Sequence, residues 1–302
     1  MTTGIGIALP QVVGPSGADT DHLRRFAERA EGLGYAGVWV NELTSAPVLD
    51  PLPLLSYVAA ATGTVRLGVA VLLTALRIPL RSARELATLD QLSGGRLIVG
   101  VGLGGSTKLY PPSGVPGGGR ARRFEDGVRL LQRLWTDDDV TFESEWWQVE
   151  KFTLEPKPRQ RPHPPIWFGA RSEPALDRAV RLGDGWIGSG SAAPDEFRGH
   201  LDHILRRLDA AGRDPGVFTL AKRVYVHVAE DDRRGREHVR EWFGANYGNA
   251  DLADRVSIVG PADECMEQVA DIAHLGLHEI LLNPVDDDLE QMEALAGLVG
   301  KV

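Results

Sequence analysis

Leu92-Ser-Gly-Gly-Arg-Leu-Ile-Val-Gly-Val-Gly-Leu-Gly-Gly105 is the stretch on which the choice of fold turns. A helical pattern stops at Ser-Gly-Gly, a short strand apolar on both faces follows, and that strand leaves in glycine. Residues 100–105 match the G-x-G-x-x-G fingerprint of dinucleotide-binding folds. In those folds the fingerprint closes the first strand and opens a helix at once. Here earlier strand patterns precede it, and it runs on into Leu109-Tyr-Pro-Pro-Ser-Gly-Val-Pro-Gly-Gly-Gly119, which cannot be helical. The glycines therefore read as the mouth of a fourth strand, not as a Rossmann turn.

Working outward, the same unit recurs. Strands are expected at 4–9, 37–40, 65–72, 96–101, 165–168, 185–188, 219–228 and 278–282, with amphipathic helices between them. Asp50-Pro51 has the form of an N-cap followed by proline at the first helical position. Eight strand-then-helix units predict an α/β fold, a (βα)₈ TIM barrel, ahead of an open doubly wound sheet. Two insertions interrupt a single domain spanning 1–302, one at about 102–164 after strand 4 and one at about 243–257 after strand 7. The first holds a Gly/Pro-rich loop, a helix and a hairpin; the second reads as irregular. Both are placed to roof a pocket at the strand C-termini.

Composition narrows the function. Of 302 residues, 43% are apolar and 25% charged, an ordinary globular balance. Cys265 is the one cysteine, so no internal disulfide forms, which fits a reducing cytoplasm. The longest apolar run, 67–73, falls far short of the roughly 18 residues of a membrane span. A net charge of −9 argues against a nucleic-acid partner, and the arginines at 120, 122 and 123 and at 233, 234 and 236 read as solvated helix faces. His200-x-x-His203 lacks a third ligand, so no metal is expected.

A barrel carries its site at the C-terminal ends of its strands, which converts the strand pattern into a residue set. Asn41 and Glu42 end strand two, and Gly102 and Gly104 lie in the mouth of strand four. Gly169-Ala170-Arg171-Ser172 follows strand five, and Gly188-Ser189-Gly190 follows strand six. Small residues bare the backbone N–H groups to an anion, and the following helix adds its positive end. Arg171 adds a fork of donors suited to phosphate. Alternatively, Ser172 only caps its helix and Arg171 is solvated.

Several segments in order carry a family resemblance. They are Val38-Trp-Val-Asn-Glu, Leu67-Gly-Val-Ala-Val-Leu-Leu, Ala87-Thr-Leu-Asp-Gln-Leu-Ser-Gly-Gly-Arg, Val99-Gly-Val-Gly-Leu-Gly, Pro156-Lys-Pro, Pro164-Pro-Ile-Trp-Phe-Gly-Ala and Gly183-Asp-Gly-Trp. With these the chain resembles the bacterial luciferase-like monooxygenase superfamily, and within it the branch of oxidoreductases that use the deazaflavin coenzyme F420. The resemblance implies a tricyclic ring near strands two to four, with Asn41, Ala70, Val71, Gly102 and Gly104 around it. It places the cofactor phosphate on 169–172 and 188–190, and a non-prolyl cis peptide near Ala70-Val71. It also implies hydride transfer between reduced deazaflavin and an unsaturated or carbonyl-type small organic substrate, in a cytoplasmic homodimer. An FMN-dependent monooxygenase is the alternative, and a non-catalytic flavin- or deazaflavin-binding protein is the alternative of another class.

Two positions depart from the pattern. Many members carry histidine after the acid that matches Glu42, where this chain has Leu43. Sugar-phosphate dehydrogenase members carry glutamate where this chain has Gly105. That speaks against a dehydrogenase built on such a pair. Glu42 is then either a proton donor raised in pKa by apolar neighbours or only a partner for strand-end N–H groups. Tyr110, in the loop, is a second proton-donor candidate.

Overall fold

Short apolar strands with glycine at their ends have no free face to give to water, so they close on themselves and bury the outside under helices. The computed structural model describes residues 2–43, 47–285 and 289–301. The first half runs β1 (Gly4–Ala8), α1 (Thr20–Gly32), β2 (Gly37–Val40), α2 (Pro51–Ala61), β3 (Arg66–Leu72), α3 (Pro79–Leu92) and β4 (Leu97–Val101). The first insertion adds α4 (Arg120–Thr136) and an antiparallel hairpin, β5 (Val140–Glu143) with β6 (Gln148–Phe152). Then follow β7 (Ile166–Gly169), α5 (Glu173–Leu182), β8 (Gly185–Gly188), α6 (Pro194–Ala210) and β9 (Thr219–Val228). The chain continues through α7 (Asp232–Tyr247), the one-turn α8 (Ala253–Val256), β10 (Ser257–Gly260), α9 (Ala262–Ala273), β11 (Glu279–Pro284) and α10 (Leu289–Leu295).

Parallel pairing runs β11-β1-β2-β3-β4-β7-β8, and β9 joins both ends, so eight strands close. The expected caps form: the Asp50 side chain accepts from the Leu52 N–H at 3.1 Å, with Pro51 as the first helical residue. No helix among the described residues is long and apolar enough to cross a membrane.

The barrel interior is filled, not hollow. Trp39, Ile98, Trp167, Ile187, Ala221 and Leu281 meet there, and the Trp39 and Trp167 rings stack with centroids 5.3 Å apart. Trp39 has room because neighbouring strands carry glycine: a Cβ on Gly68 would lie 2.2 Å from its ring. Beneath it, Glu279 is buried between the Trp39 indole N–H (3.2 Å) and the Arg66 guanidinium (2.6 Å).

Two expectations are corrected here. The segment 243–257 is not irregular. It begins in the last turn of α7 and ends in β10, a ninth parallel strand on Tyr225–Val228 of β9. The helix escaped notice because it buries only Gly235, Val239 and Phe243, a thin stripe among arginines and acids. Nor are the first clustered arginines all solvated. Arg123 is buried with its guanidinium 4.8 Å from the centre of the Trp147 ring, and Arg120 turns into a cavity described below.

Candidate active site

At the mouth of the barrel a cavity of about 650 Å³ opens, within the size range of small-molecule and cofactor sites. Its walls come from the ends of β2, β3, β4, β7, β8 and β9. The structure places Asn41, Glu42, Ala70 and Val71 on one side of it and Gly102 and Gly104 beside them. Gly169-Ala170-Arg171-Ser172 and Gly188-Ser189-Gly190 complete the wall.

The floor is shaped at β3. The Ala70–Val71 peptide is cis, at the position the resemblance indicates, and the register of β3 on β4 shifts between Val69 and Leu72. Val71 then fills space its neighbours leave. A Cβ on Gly102 would lie 2.4 Å from Val71 Cγ2, and one on Gly169 2.9 Å from Cγ1. Glycine at both positions is what permits this close approach.

Beside this floor lies a turn of small and hydroxyl residues with one arginine. Ser172 stands at the N-cap position of α5, yet its side chain makes no capping bond and stays on the cavity wall. Arg171 donates to Ser191 Oγ (3.1 Å) and is held from behind by Glu196 (2.7 Å). Ser189 Oγ and Ser191 Oγ are 2.9 Å apart. Under the turn, buried Lys222 donates from Nζ to the Ser189 and Ala192 carbonyls and lies over the Phe197 ring. Burial pushes its ammonium down to about 7; Glu196 opposes that shift, and the charges of Arg171 and Arg223 add to it.

Of the two proton-donor candidates, Glu42 takes the second of its two expected placements and Tyr110 lies away from the cavity. Glu42 lines the cavity, but both its oxygens are engaged: Oε1 pairs with Arg77 Nη2 at 2.6 Å, and Oε2 accepts from the Leu73 N–H at 2.5 Å. It is thus a partner for a strand-end N–H and a guanidinium, the second of the two roles expected of it. Tyr110 does not reach the cavity. The loop folds into two 3₁₀ turns, Thr107–Leu109 and Pro111–Ser113, which bury Tyr110 between them. Its hydroxyl donates to the Leu103 carbonyl at 2.8 Å, and burial holds it above the ordinary phenol range.

A polar cluster that sequence reasoning did not find occupies that side instead. Arg223 enters from β9 and donates to Asn41 Oδ1 (2.7 Å) and to Asn283 Oδ1. Its guanidinium carbon lies 5.0 Å from the centre of the Tyr225 ring. The Tyr225 hydroxyl meets the hydroxyl of Tyr247, the last residue of α7, and Tyr247 is 44% exposed. Burial, with Tyr247 beside it, drives the Tyr225 hydroxyl above the ordinary phenol range, and the Arg223 charge only partly offsets this. Among the described residues, Arg223 pairs with no carboxylate and is held at the cavity wall by two amide oxygens. Strand parity held the signal: from inward Ala221, Arg223 and Tyr225 fall on the same face.

The cavity suits a planar ring system with an anionic end. Its floor is apolar, its β7 and β8 ends expose bare backbone, and an arginine with three hydroxyls faces that end.

Comparison with known proteins agrees with this geometry. The model of the family described as luciferase-like monooxygenase matches residues 3–279. An F420-dependent glucose-6-phosphate dehydrogenase of Kineococcus radiotolerans is 30% identical over 82% of this chain and 77% of its own. An FMNH(2)-dependent dimethylsulfone monooxygenase of Pseudomonas putida is 29% identical over 68% of this chain and 59% of its own. Among solved structures, the monooxygenase RslO1 from Streptomyces bottropensis superposes with a TM-score of 0.82 at 26% identity, covering 99% of this chain and 98% of that one.

Proposed function

From a chain that belongs to the luciferase-like monooxygenase family, we propose an oxidoreductase that uses coenzyme F420 to reduce an unsaturated or carbonyl-type small organic substrate. The observation that carries this is Arg223, which among the described residues meets no carboxylate, beside the Tyr225–Tyr247 hydroxyls and packed with Tyr225 against Gly190 of the anion-binding turn. The F420-dependent relative at 30% identity supports the choice of cofactor. When bound in reduced form, the deazaflavin supplies a hydride, two electrons together, and its carbon-for-nitrogen exchange makes it a poor activator of oxygen.

The residues of this chain divide the remaining work. Ala70 and Val71 give the ring an apolar floor, and Gly102 and Gly169 let backbone come close to it. Arg171, Ser172, Ser189 and Ser191 hold the phosphate, with the turn braced by Lys222. Arg223 stabilises negative charge growing on a substrate oxygen. Tyr247 passes a proton from its hydroxyl, and Tyr225 hydrogen-bonds that hydroxyl in place. Leu43 and Gly105 leave no acid–base pair at their positions, so a sugar phosphate is not the substrate we assign.

A second assignment, an FMN-dependent monooxygenase, is favoured by the Pseudomonas putida relative. Titration of the purified protein with oxidised F420 and, separately, FMN distinguishes them, followed by tryptophan quenching and the cofactor spectrum. Saturable binding of F420 alone is expected. Selective binding of FMN would move the chain to the oxygen-using side of its family, and binding of neither would overturn both.

A further inference from the structure

The cavity at the barrel mouth does not end at its anion-binding wall. Gly104, Gly169, Ala170 and Ser172 are shared with a second cavity of about 310 Å³, between the N-terminal ends of α4 and α5. Arg120 and Arg178 stand on its sides. On the far side of Pro174 and Arg178, which line both, lies a groove of about 680 Å³ bordered by Arg181, Arg207 and Arg213. Five arginines thus follow one another along a path leading away from the site.

The carboxylates lining this path are too few to neutralise it. Glu125 pairs with Arg178 and Arg181 at 2.8 Å each, and Asp177 takes Arg207 at 2.8 Å together with His203. Arg120 keeps a buried terminal nitrogen, Nη1, without a hydrogen-bond partner. The excess is local, because the chain as a whole carries −9. A continuous positive track on an acidic protein concentrates anions along its length.

We propose that this track binds the tail of F420, the string of carboxylates that the coenzyme carries beyond its ribityl phosphate. FMN ends at the phosphate and has nothing to place there, so the track selects between the two cofactors. The inference rests on the deazaflavin assignment above. Arg120 meets the first anionic groups past the phosphate, and Arg181 and Arg207 meet those further out, exchanging part of their pairing with Glu125 and Asp177.

The test uses the full-length protein and three ligands: F420 with several glutamates, the same deazaflavin ending at its ribityl phosphate, and FMN. Dissociation constants are read by fluorescence at low and high salt. F420 should bind at least tenfold more tightly than the tail-less phosphate at low salt, with the advantage shrinking as salt rises. Arg120→Gln, and the exposed pair Arg181→Gln with Arg207→Gln, should each erode that advantage while the tail-less phosphate binds as before. Equal affinity for the two deazaflavins, or variants that weaken both alike, would overturn the inference and leave the cofactor assignment standing. Failure of either deazaflavin to bind would overturn both.

Discussion

At Val71 two methyl groups occupy the volume that side chains at Gly102 and Gly169 would need, so the three positions behave as one packing unit. Gly102→Ala should lower stability by ~1–3 kcal/mol, the usual cost of overpacking. Val71→Ala in the same chain should return part of that loss, since contacting residues are non-additive. Urea denaturation of the two single variants and the double variant checks this; strict additivity would mean that the methyls are not the obstacle. In the proposed reaction Tyr247 passes the proton. Tyr247→Phe keeps the ring and removes the hydroxyl, so with a substrate that turns over, kcat should fall by ~10²-fold while cofactor affinity moves little. Unchanged kcat would place the donor elsewhere. Neither Tyr247 nor Arg223 was legible beforehand, for physical reasons. The rule that strand ends make the site finds Asn41, Gly102 and residues 169–172, because their strands stop where the barrel does. Strand β9 runs on past the mouth to pair with β10, so Arg223 and Tyr225 lie within a strand and not at its end. Tyr110 misled in the opposite sense: its position in a Gly/Pro-rich loop suggested mobility, and the loop instead folds inward over it.

Helix α7 shows how an element can line the cavity and be nearly silent in the sequence. It delivers Tyr247, yet its apolar face is three residues spaced by four, set among charges. What fixes its start is Asp231, whose side chain accepts from the Arg234 N–H at 3.1 Å. Asp231→Ala should therefore cost ~1 kcal/mol of stability. Because the helix ends on the tyrosine pair, the same change should raise hydrogen exchange along α7 before it does so in the barrel strands; uniform exchange would show that the cap does not govern the helix. The barrel strands were readable for the reason α7 was not. Burial on both faces leaves residues such as 97–101 with no polar position at all, and glycine or proline marks each end. Strand β10 is as short as β2, β7 and β8, but only Ile258 and Val259 are apolar and it follows a helix that the apolar pattern does not mark.

On the scale of the whole molecule, two buried charges sit at different levels of the barrel and make stability depend on pH in opposite directions. Glu279, beneath Trp39, has its carboxyl pushed up to about 7 by burial, against the pull of Arg66 and the Trp39 N–H. A carboxyl raised in the folded state contributes stability that is complete below its unfolded value of 4.5 and is lost as pH climbs through about 7. Lys222, under the anion-binding turn, is lowered from 10.5 to about 7 by burial, in the company of Glu196, Arg171 and Arg223. Between those two values the unfolded chain binds the extra proton, so this group makes stability rise with pH from about 7 to 10.5. Other ionisable groups add their own slopes, so each effect is best read as a difference between a variant and the parent. Parent stability minus that of Glu279→Gln should decline from pH 5 to 7 and level off above it. Parent minus Lys222→Met should be level below pH 7 and climb toward pH 10. Denaturant titrations across pH 5 to 10 give both curves. If the Lys222 difference is flat while the Glu279 difference slopes, the lysine keeps its proton on the Ser189 and Ala192 carbonyls throughout. The turn would then carry a full positive charge beneath it at every working pH, and phosphate affinity would lose no cation above pH 7. If both slope as described, that charge is half gone near pH 7, and binding of any phosphate-bearing cofactor should weaken as the pH is raised further.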